Sequence, residues 1–280
     1  MRRRFFVEEV AGERAVMSGE AAHHLGRVLR AEVGQVYELS DGERVRLGRV
    51  ESVGRERVEF ALLEEIAAYR PAVETTLLLA IVKFDAFEWA LEKATELGVS
   101  RVVPLVAARS EKALVGAAGK RAERWRKILV EASQQSRRVS VPKLGAVVKP
   151  EEAFAPGLGT SGEGLRILLS ERAGAAGLKS VLGGAEDAGE SANTEGSNPR
   201  PRFENQTSGT RGERDEQDGH GNAVPLRAVL AIGPEGGWTD GELEAGRKAG
   251  FREASLGGLI LRTETAVIVA LAAVNYEVGG

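Results

Sequence analysis

Cysteine is absent from the 280-residue chain, which excludes disulfides, thiolate metal centres and cysteine nucleophiles, and fits a reducing, cytoplasmic compartment. Histidine is nearly absent: of 3, His23 and His24 are adjacent and so face different helix azimuths, while His220 stands in a polar, Gly-rich stretch. That pattern offers no zinc-ligand spacing, and no metal is expected. Long apolar runs are missing as well. Nothing approaches the roughly eighteen uncharged residues of a membrane span. The N-terminal "MRRRFFVEEV" loses its apolar run at Glu8, short of a signal-peptide core. The chain reads as soluble, without a membrane partner.

A strong charge of one sign is also lacking, since the formal net charge is −3. One segment distorts that balance. Residues 183–223 contain nine acidic and four basic residues, eight glycines and a single large apolar side chain, Phe203. Outside it, basic residues exceed acidic ones, 34 to 32. The segment has no periodicity and too little apolar surface to offset its ordering entropy, so it reads as a disordered insert. Residues 109–143 lean the other way, with ten Lys/Arg against three Asp/Glu. A basic face of this kind permits an RNA partner, and a solvated helix explains it equally well.

The length suggests two domains. Residues 1–70 are built of short strand-like pieces, "RRFFVEEV", "VYELSDG", "RVRLGRVESV" and "RVEFALLEE", with Asp41-Gly42 as a hairpin signal. A helix interrupts them at "SGEAAHHLGRVLR", with Ser18 as cap and Ala22, Leu25, Val28 and Leu29 on one face. Pro71 marks the boundary. From residue 73 to 280 apolar strands alternate with helices: "TTLLLAIV", "FDAFEWALEKATELG" ending at Gly98, "VSRVVPLVA", "KRAERWRKILVEASQQS", "LRILLSE", "RAVLAIG", "REASLGG" and "ETAVIVALAAVNYEV". Alternation of this kind implies a largely parallel α/β sheet covered on both faces. The last helix is apolar almost all round, so full burial is expected.

Two phosphate-loop lookalikes fail on context. "GLGTSG" at 157–162 follows Pro156 and precedes a strand, the reverse of a dinucleotide fingerprint, and "GAAGKR" at 116–121 lacks the first glycine of a P-loop. "AIGPEGGWTDGEL" is different. It runs from a strand through Gly233, Pro234, Glu235, Gly236 and Gly237 into a helix whose Thr239 and Glu242 have capping-box spacing. Glycines let a ligand approach the main chain, and ligands of open α/β sheets bind at strand C-termini. A plain turn is the alternative, although it needs fewer glycines. "SLGGLILRTETA" and "LLSE" at 168–171 are two more strand ends able to share one pocket.

"IGPEGGWTDGEL", "LGGLILRTETA", "EWALEKATELGVSRVVPLVAARS" and "HHLGRVLR…VGQVYELSDG" together resemble the RsmE family, ribosomal RNA uracil-N3 methyltransferases of the SPOUT superfamily. The resemblance spans nearly everything except 183–223. It implies an α/β, parallel-sheet methyltransferase domain with a deep trefoil knot at 73–280, behind a PUA-like RNA-binding β-barrel at 1–70. It implies S-adenosylmethionine as cofactor, 16S rRNA in the small ribosomal subunit as partner, and a homodimer. The donor would lie among Leu168, Leu169, Ser170 and Glu171, then Ile232, Gly233, Pro234, Glu235, Gly236 and Gly237, then Leu256, Gly257, Ile260, Leu261 and Arg262.

For catalysis, Arg262 would stabilise charge developing on the uracil carbonyls as N3 loses its proton, with a structural arginine as the alternative. Glu264 and Glu235 are candidate general bases, although a carboxylate in a helix's first turn is favoured by the dipole in any case. RNA positioning would fall to Arg2, Arg3, Arg4, Arg27 and Arg30 in the small domain and to Arg109, Arg124, Lys127 and Arg138 in the large one. The chain departs from the family pattern in carrying Arg137 where a glycine is usual and Leu259 where a basic residue is common. Rival readings are a SPOUT ribose 2′-O-methyltransferase and a non-catalytic RNA-binding assembly factor.

Overall fold

The computed structural model describes residues 3–155, 164–183 and 226–278. Arg2, the "GLGTSG" stretch and all of the expected insert except Gly183 lie outside them.

Six strands make the first sheet: β1 (Arg4–Phe6), β2 (Glu9–Ala11), β3 (Arg14–Ser18), β4 (Val36–Ser40), β5 (Val45–Val53) and β6 (Arg57–Glu65), in the order β1-β4-β5-β6-β3-β2. Only β1 and β4 run parallel. Asp41 closes the β4–β5 turn by accepting the backbone N–H groups of Glu43 (2.9 Å) and Arg44 (2.7 Å), while Gly42 takes φ +94°. Phe5, Met17, Leu39, Val50, Val58 and Phe60 point to one side and form this domain's core.

The expected single helix after β3 is instead α1 (Gly19–His23) followed by a π-helical turn over His24–Val28, with Leu29 N–H donating to His24 O at 3.0 Å. The wider turn advances each side chain less per residue. Val28, which α-helical spacing places inward, is therefore 61% exposed. Ser18 precedes α1 but its hydroxyl makes no capping bond.

After an irregular connection at 66–72 the second domain follows as β7 (Val73–Ala80), α2 (Phe84–Glu96), β8 (Arg101–Leu105), α3 (Lys112–Gln135), β9 (Lys143–Leu144) and α4 (Pro150–Phe154). Then come β10 (Leu165–Leu169), β11 (Ala176–Gly177), α5 (Leu178–Gly183), β12 (Leu226–Ile232), α6 (Asp240–Lys248), β13 (Arg252–Ser255) and α7 (Thr263–Val278). Its seven strands are all parallel, in the order β11-β13-β10-β12-β7-β8-β9.

The apolar run of β7 explains the layering. Leu77 and Leu79 face a core built with Phe87 of α2, Trp125 of α3 and Leu271 of α7; Leu78 and Ala80 face the opposite core, with Phe154, Trp238 and Phe251. Gly98 takes φ +90° and ends the α2 segment where the sequence places the stop. Within one chain α7 is not fully buried: Val267, Ala270, Leu271 and Val274 are inside, whereas Val269, Ala272 and Tyr276 are exposed. No helix of the described residues is long and apolar enough to cross a membrane.

Candidate donor-binding cleft

β12 lies between β7 and β10, so the chain returns to the far side of its first strand, and the C-terminal ends of β10, β12 and β13 come to one edge of the sheet. A ligand site is expected at such a reversal. There the loops after these strands enclose a cleft of about 400 Å³, within the usual range for small-molecule sites.

Its walls are tied together. The Trp238 indole N–H donates to Leu169 O (2.9 Å), joining the β12 loop to the β10 loop, and the Thr263 hydroxyl donates to Gly233 O (3.1 Å), joining α7 to the same loop. The Arg172–Asp240 ion pair bridges the β10 and β12 loops at the surface. Glu242, buried in the first turn of α6, completes a capping box with Thr239 and also accepts Ala108 N–H at 2.8 Å. This carboxylate thereby holds a fourth loop, the one after β8, against the site.

Each glycine of "GPEGG" has its own reason. A Cβ on Gly233 would lie 3.0 Å from the Trp238 ring; one on Gly236 would meet the Arg109 stem at 3.2 Å. Gly237 takes φ +68° to close the turn, in which its N–H donates to Pro234 O at 2.8 Å. The protein's own packing accounts for all three, so the cleft and not the glycine count carries the argument for a ligand. Among the described residues the N–H groups of Glu235 and Gly236 have no hydrogen-bond partner.

Of the residues expected to hold the donor, Leu169, Ser170, Glu171, Ile232, Gly233, Pro234, Glu235, Gly236, Gly237, Leu256, Gly257 and Leu261 line the cleft. Leu168 does not; it points into the opposite core, under Gly246. Ile260 is 80% exposed on the loop outside the lining. The guanidinium of Arg262, between the lining residues Leu261 and Thr263, is exposed and has no partner among the described residues, while its carbonyl accepts the Ala266 N–H at 2.9 Å. Glu264 is half-buried, with Oε2 screened from solvent and without a hydrogen bond. Arg172, Trp238, Asp240 and Thr263 line the cleft without having been singled out in the sequence.

The arginines expected on RNA divide. Arg3, Arg27 and Arg30 are exposed in the first domain. Arg4 is 3% exposed and ion-paired with Glu38 at 2.9 Å, so it holds the protein together and is not available to a phosphate. Arg138 is likewise committed: its guanidinium donates to Thr95 O (2.7 Å) and Ser140 O (3.1 Å), and burial lowers its pKa to about 10. Arg109 belongs to the cleft, where Nη1 donates to Gly236 O at 2.6 Å. Arg124 and Lys127 are exposed but paired, with Glu88 (2.6 Å) and Glu20 (2.9 Å), and the hydrogen bonds they donate to these carboxylates raise both pKa values. Among the described residues, no group of three or more acidic or His side chains is arranged to hold a metal ion.

Known proteins resemble this chain along most of its length. The model of an RNA methyltransferase domain matches residues 69–188 and 210–275, and that of an RNA methyltransferase PUA domain matches 18–63. The break in the first match falls within the Gly-rich acidic stretch. Ribosomal RNA small subunit methyltransferase E of Mycobacterium tuberculosis is 31% identical over 278 residues, covering 97% of this chain and 90% of the relative. The Bacillus subtilis protein of the same name is 29% identical over 267 residues, covering 93% and 89%. Among solved structures, ribosomal RNA small subunit methyltransferase E from Neisseria gonorrhoeae, bound to S-adenosyl methionine, superposes with a TM-score of 0.74 at 25% identity over 99% of this chain and 98% of that one.

Proposed function

Because the chain belongs to the RsmE family of ribosomal RNA small subunit methyltransferases, we propose that it methylates N3 of a uridine in 16S rRNA of the small subunit, with S-adenosylmethionine held in the cleft after β10, β12 and β13. The convergence of these three loops on one cleft carries the assignment of the site.

The lining suits that donor. Ile232, Leu256, Leu261 and Ala266 offer apolar surface to a purine, the unpartnered N–H groups of Glu235 and Gly236 offer main-chain donors, and the carboxylates of Glu171 and Glu235 suit a cation. When bound, S-adenosylmethionine supplies a methyl group activated by its sulfonium. The chain's own residues supply alignment, dehydration and management of a proton. Uracil N3 lies on the base-pairing edge, so the target base enters unpaired or extruded. Arg262, exposed and unpaired beside the cleft, stabilises negative charge on the uracil carbonyls as the N3 proton leaves. Glu264, with an oxygen that is shielded and unpartnered, is the favoured acceptor of that proton, and Glu235 on the lining is the second.

Two features of the assembly belong to the same reading. The three loops and α7 are read as the segments of a deep trefoil knot on the strength of the family match. The chain works as a homodimer in the cytoplasm. The dimer is supported by the apolar surface that one chain leaves open: Leu259 at 83%, Ile260 at 80%, and Val269, Ala272 and Tyr276 on α7.

The test is incubation with methyl-labelled S-adenosylmethionine and unmodified small ribosomal subunits, followed by digestion and identification of the labelled nucleoside. Label in 3-methyluridine at one position is expected. Label in a 2′-O-methyl nucleoside would move the enzyme to the sister chemistry, and donor binding without transfer to any RNA would favour an assembly factor.

A further inference from the structure

The two domains meet along a seam whose central residue sits in an unusual backbone conformation. Arg137 takes φ +54°, a left-handed region that glycine enters freely and a side-chain-bearing residue enters only at a cost. It follows directly on the end of α3, where Arg137 N–H donates to Gln134 O and Arg138 N–H to Ser133 O. A glycine would serve for the turn alone. The arginine must therefore earn its place through its side chain.

That side chain crosses to the other domain. Arg137 Nε and Nη2 both donate to the carboxylate of Glu38 on β4, a bidentate pair, while Arg4 of β1 binds the same carboxylate from its own domain at 2.9–3.1 Å. Glu38 is only 4% exposed, so its charge is satisfied by these two guanidinium groups and little by water. The backbone joins in: Arg4 Nη1 donates to Arg137 O, and the Ser40 hydroxyl donates to Val139 O. Residues 137–139 are thus fixed to β1 and β4 at three points.

The same segment is anchored on its other side to the methyltransferase domain. Arg138 donates to Thr95 O at the end of α2, and Asn275 of α7 donates to Leu97 O (2.8 Å). A continuous set of bonds thus runs from the first sheet through Arg137–Arg138 to the C-terminal end of the helix whose N-terminal residue, Thr263, lines the cleft.

We propose that Arg137 and Glu38 form an interdomain lock, which fixes the small domain relative to the catalytic one and so sets how RNA bound by the first is presented to the cleft of the second. They are positioning residues and touch neither donor nor target base. The functional half of this statement rests on the proposed RNA methylation; the structural half does not.

Arg137→Gly is the clean probe. It keeps the left-handed turn and the carbonyl that accepts from Arg4, and removes only the side chain. In the full-length protein, hydrogen exchange of the amides in 36–40 and 137–140 should rise at least tenfold, with exchange in β7 and α2 unchanged. The KM for small-subunit RNA should rise about tenfold, while kcat at saturating RNA and the Kd for S-adenosylhomocysteine stay within twofold of wild type. Glu38→Gln should shift both readings in the same direction, and the double variant should be no worse than the more affected single one. Unchanged exchange in Arg137→Gly overturns the lock. Faster exchange with an unchanged RNA KM overturns its role in presenting RNA, and an equal loss of donor affinity shows a general destabilisation instead. If the wild-type protein itself methylates no RNA, the proposed function has failed, and the exchange measurement still decides the lock.

Discussion

Gly233→Ala probes how the cleft is built. An alanine Cβ would stand 3.0 Å from Trp238 Cε2 and 3.1 Å from Nε1, closer than van der Waals contact allows, so the indole must retreat. It cannot do so freely, because its N–H is bound to Leu169 O and its ring is packed near Phe154, with centroids 6.1 Å apart. Overpacking a tight site costs about 1–3 kcal/mol, and stretching the indole hydrogen bond adds about 0.5–1.5 kcal/mol. A total of about 2–4 kcal/mol corresponds to a Tm lowered by roughly 4–8 °C for a chain of this size. The strain falls on the residue that joins two cleft walls, so donor affinity should drop with it. At a ligand concentration of about 100 Kd, S-adenosylhomocysteine stabilises the wild type by about 2.7 kcal/mol, and a tenfold weaker Kd roughly halves the gain. The assay is thermal unfolding with and without that ligand. A variant that melts within about 1 °C of wild type and shows the full ligand shift would refute the picture of a packed, indole-braced loop. Pairing Gly233→Ala with Trp238→Phe, which shrinks the ring, should cost less than the sum of the two single changes.

Other perturbations separate the roles assigned above. Arg262→Ala should lower kcat by about 10²–10³-fold, the range for losing one charge-stabilising donor, with donor affinity unchanged in a calorimetric titration; a pure loss of donor affinity would reassign it to the cofactor site. Glu242→Ala removes a buried carboxylate that caps α6 and holds Ala108, so a loss of about 2–4 kcal/mol is expected in thermal denaturation, and Glu242→Gln should lose less. Asp41 gives a pH signature. Burial opposes its ionisation, but the N–H groups of Arg44 and Glu43 and the charge of Arg46 outweigh it and hold the pKa below the ordinary 3.8. Its contribution is then present above about pH 4 and disappears as the pH falls through the lower folded value, so wild type and Asp41→Ala should differ by about 1–2 kcal/mol at pH 7 and converge in acid.

The alternation of apolar runs with helical patterns gave the second domain's architecture because its strands are covered on both faces and leave an uninterrupted signal, as in "TTLLLAIV". The first domain was harder to read. β2 and β3 are short, and their turn at Gly12 lies in "VAGERAV", which has no strong alternation. α3 starts at Lys112, ahead of the "KRAERWRKILVEASQQS" pattern: "KALVGAAG" contains Gly116 and Gly119, which weaken local helix propensity, yet Ala118 packs into the core beside the α2 helix and tertiary contact decides. Arginine roles were the least readable. Residue type says that a guanidinium is present and nothing about its partner, so Arg4 and Arg138, both committed within the protein, looked the same as the exposed Arg27. A signal for Arg109 did exist. A parallel sheet brings every strand's C-terminal end to one edge, so the residues after β8 belong beside those after β12.

The glycine-rich loop shows how a motif can point to a site for an indirect reason. Glycines suggest open backbone for a ligand, but here Gly233 and Gly236 have their missing side chains replaced by Trp238 and Arg109, and Gly237 closes a turn. Those substitutes come from the loop itself and from the loop after β8, and each of them also donates a hydrogen bond, to Leu169 O and Gly236 O. Small residues thus let neighbouring side chains grip the main chain closely, which fixes the direction of the free N–H groups of Glu235 and Gly236 before any ligand arrives. A loop held in this way loses little conformational entropy when a donor binds, and main-chain recognition of a small ligand gains affinity from such preorganisation. Arg109→Ala should therefore weaken donor binding even if the guanidinium never touches the donor, and it should do so by loosening Gly236–Gly237. Faster hydrogen exchange in that loop, together with a weaker Kd for S-adenosylhomocysteine, is the expected pair of results; a weaker Kd with an unchanged loop would mean that Arg109 contacts the donor directly.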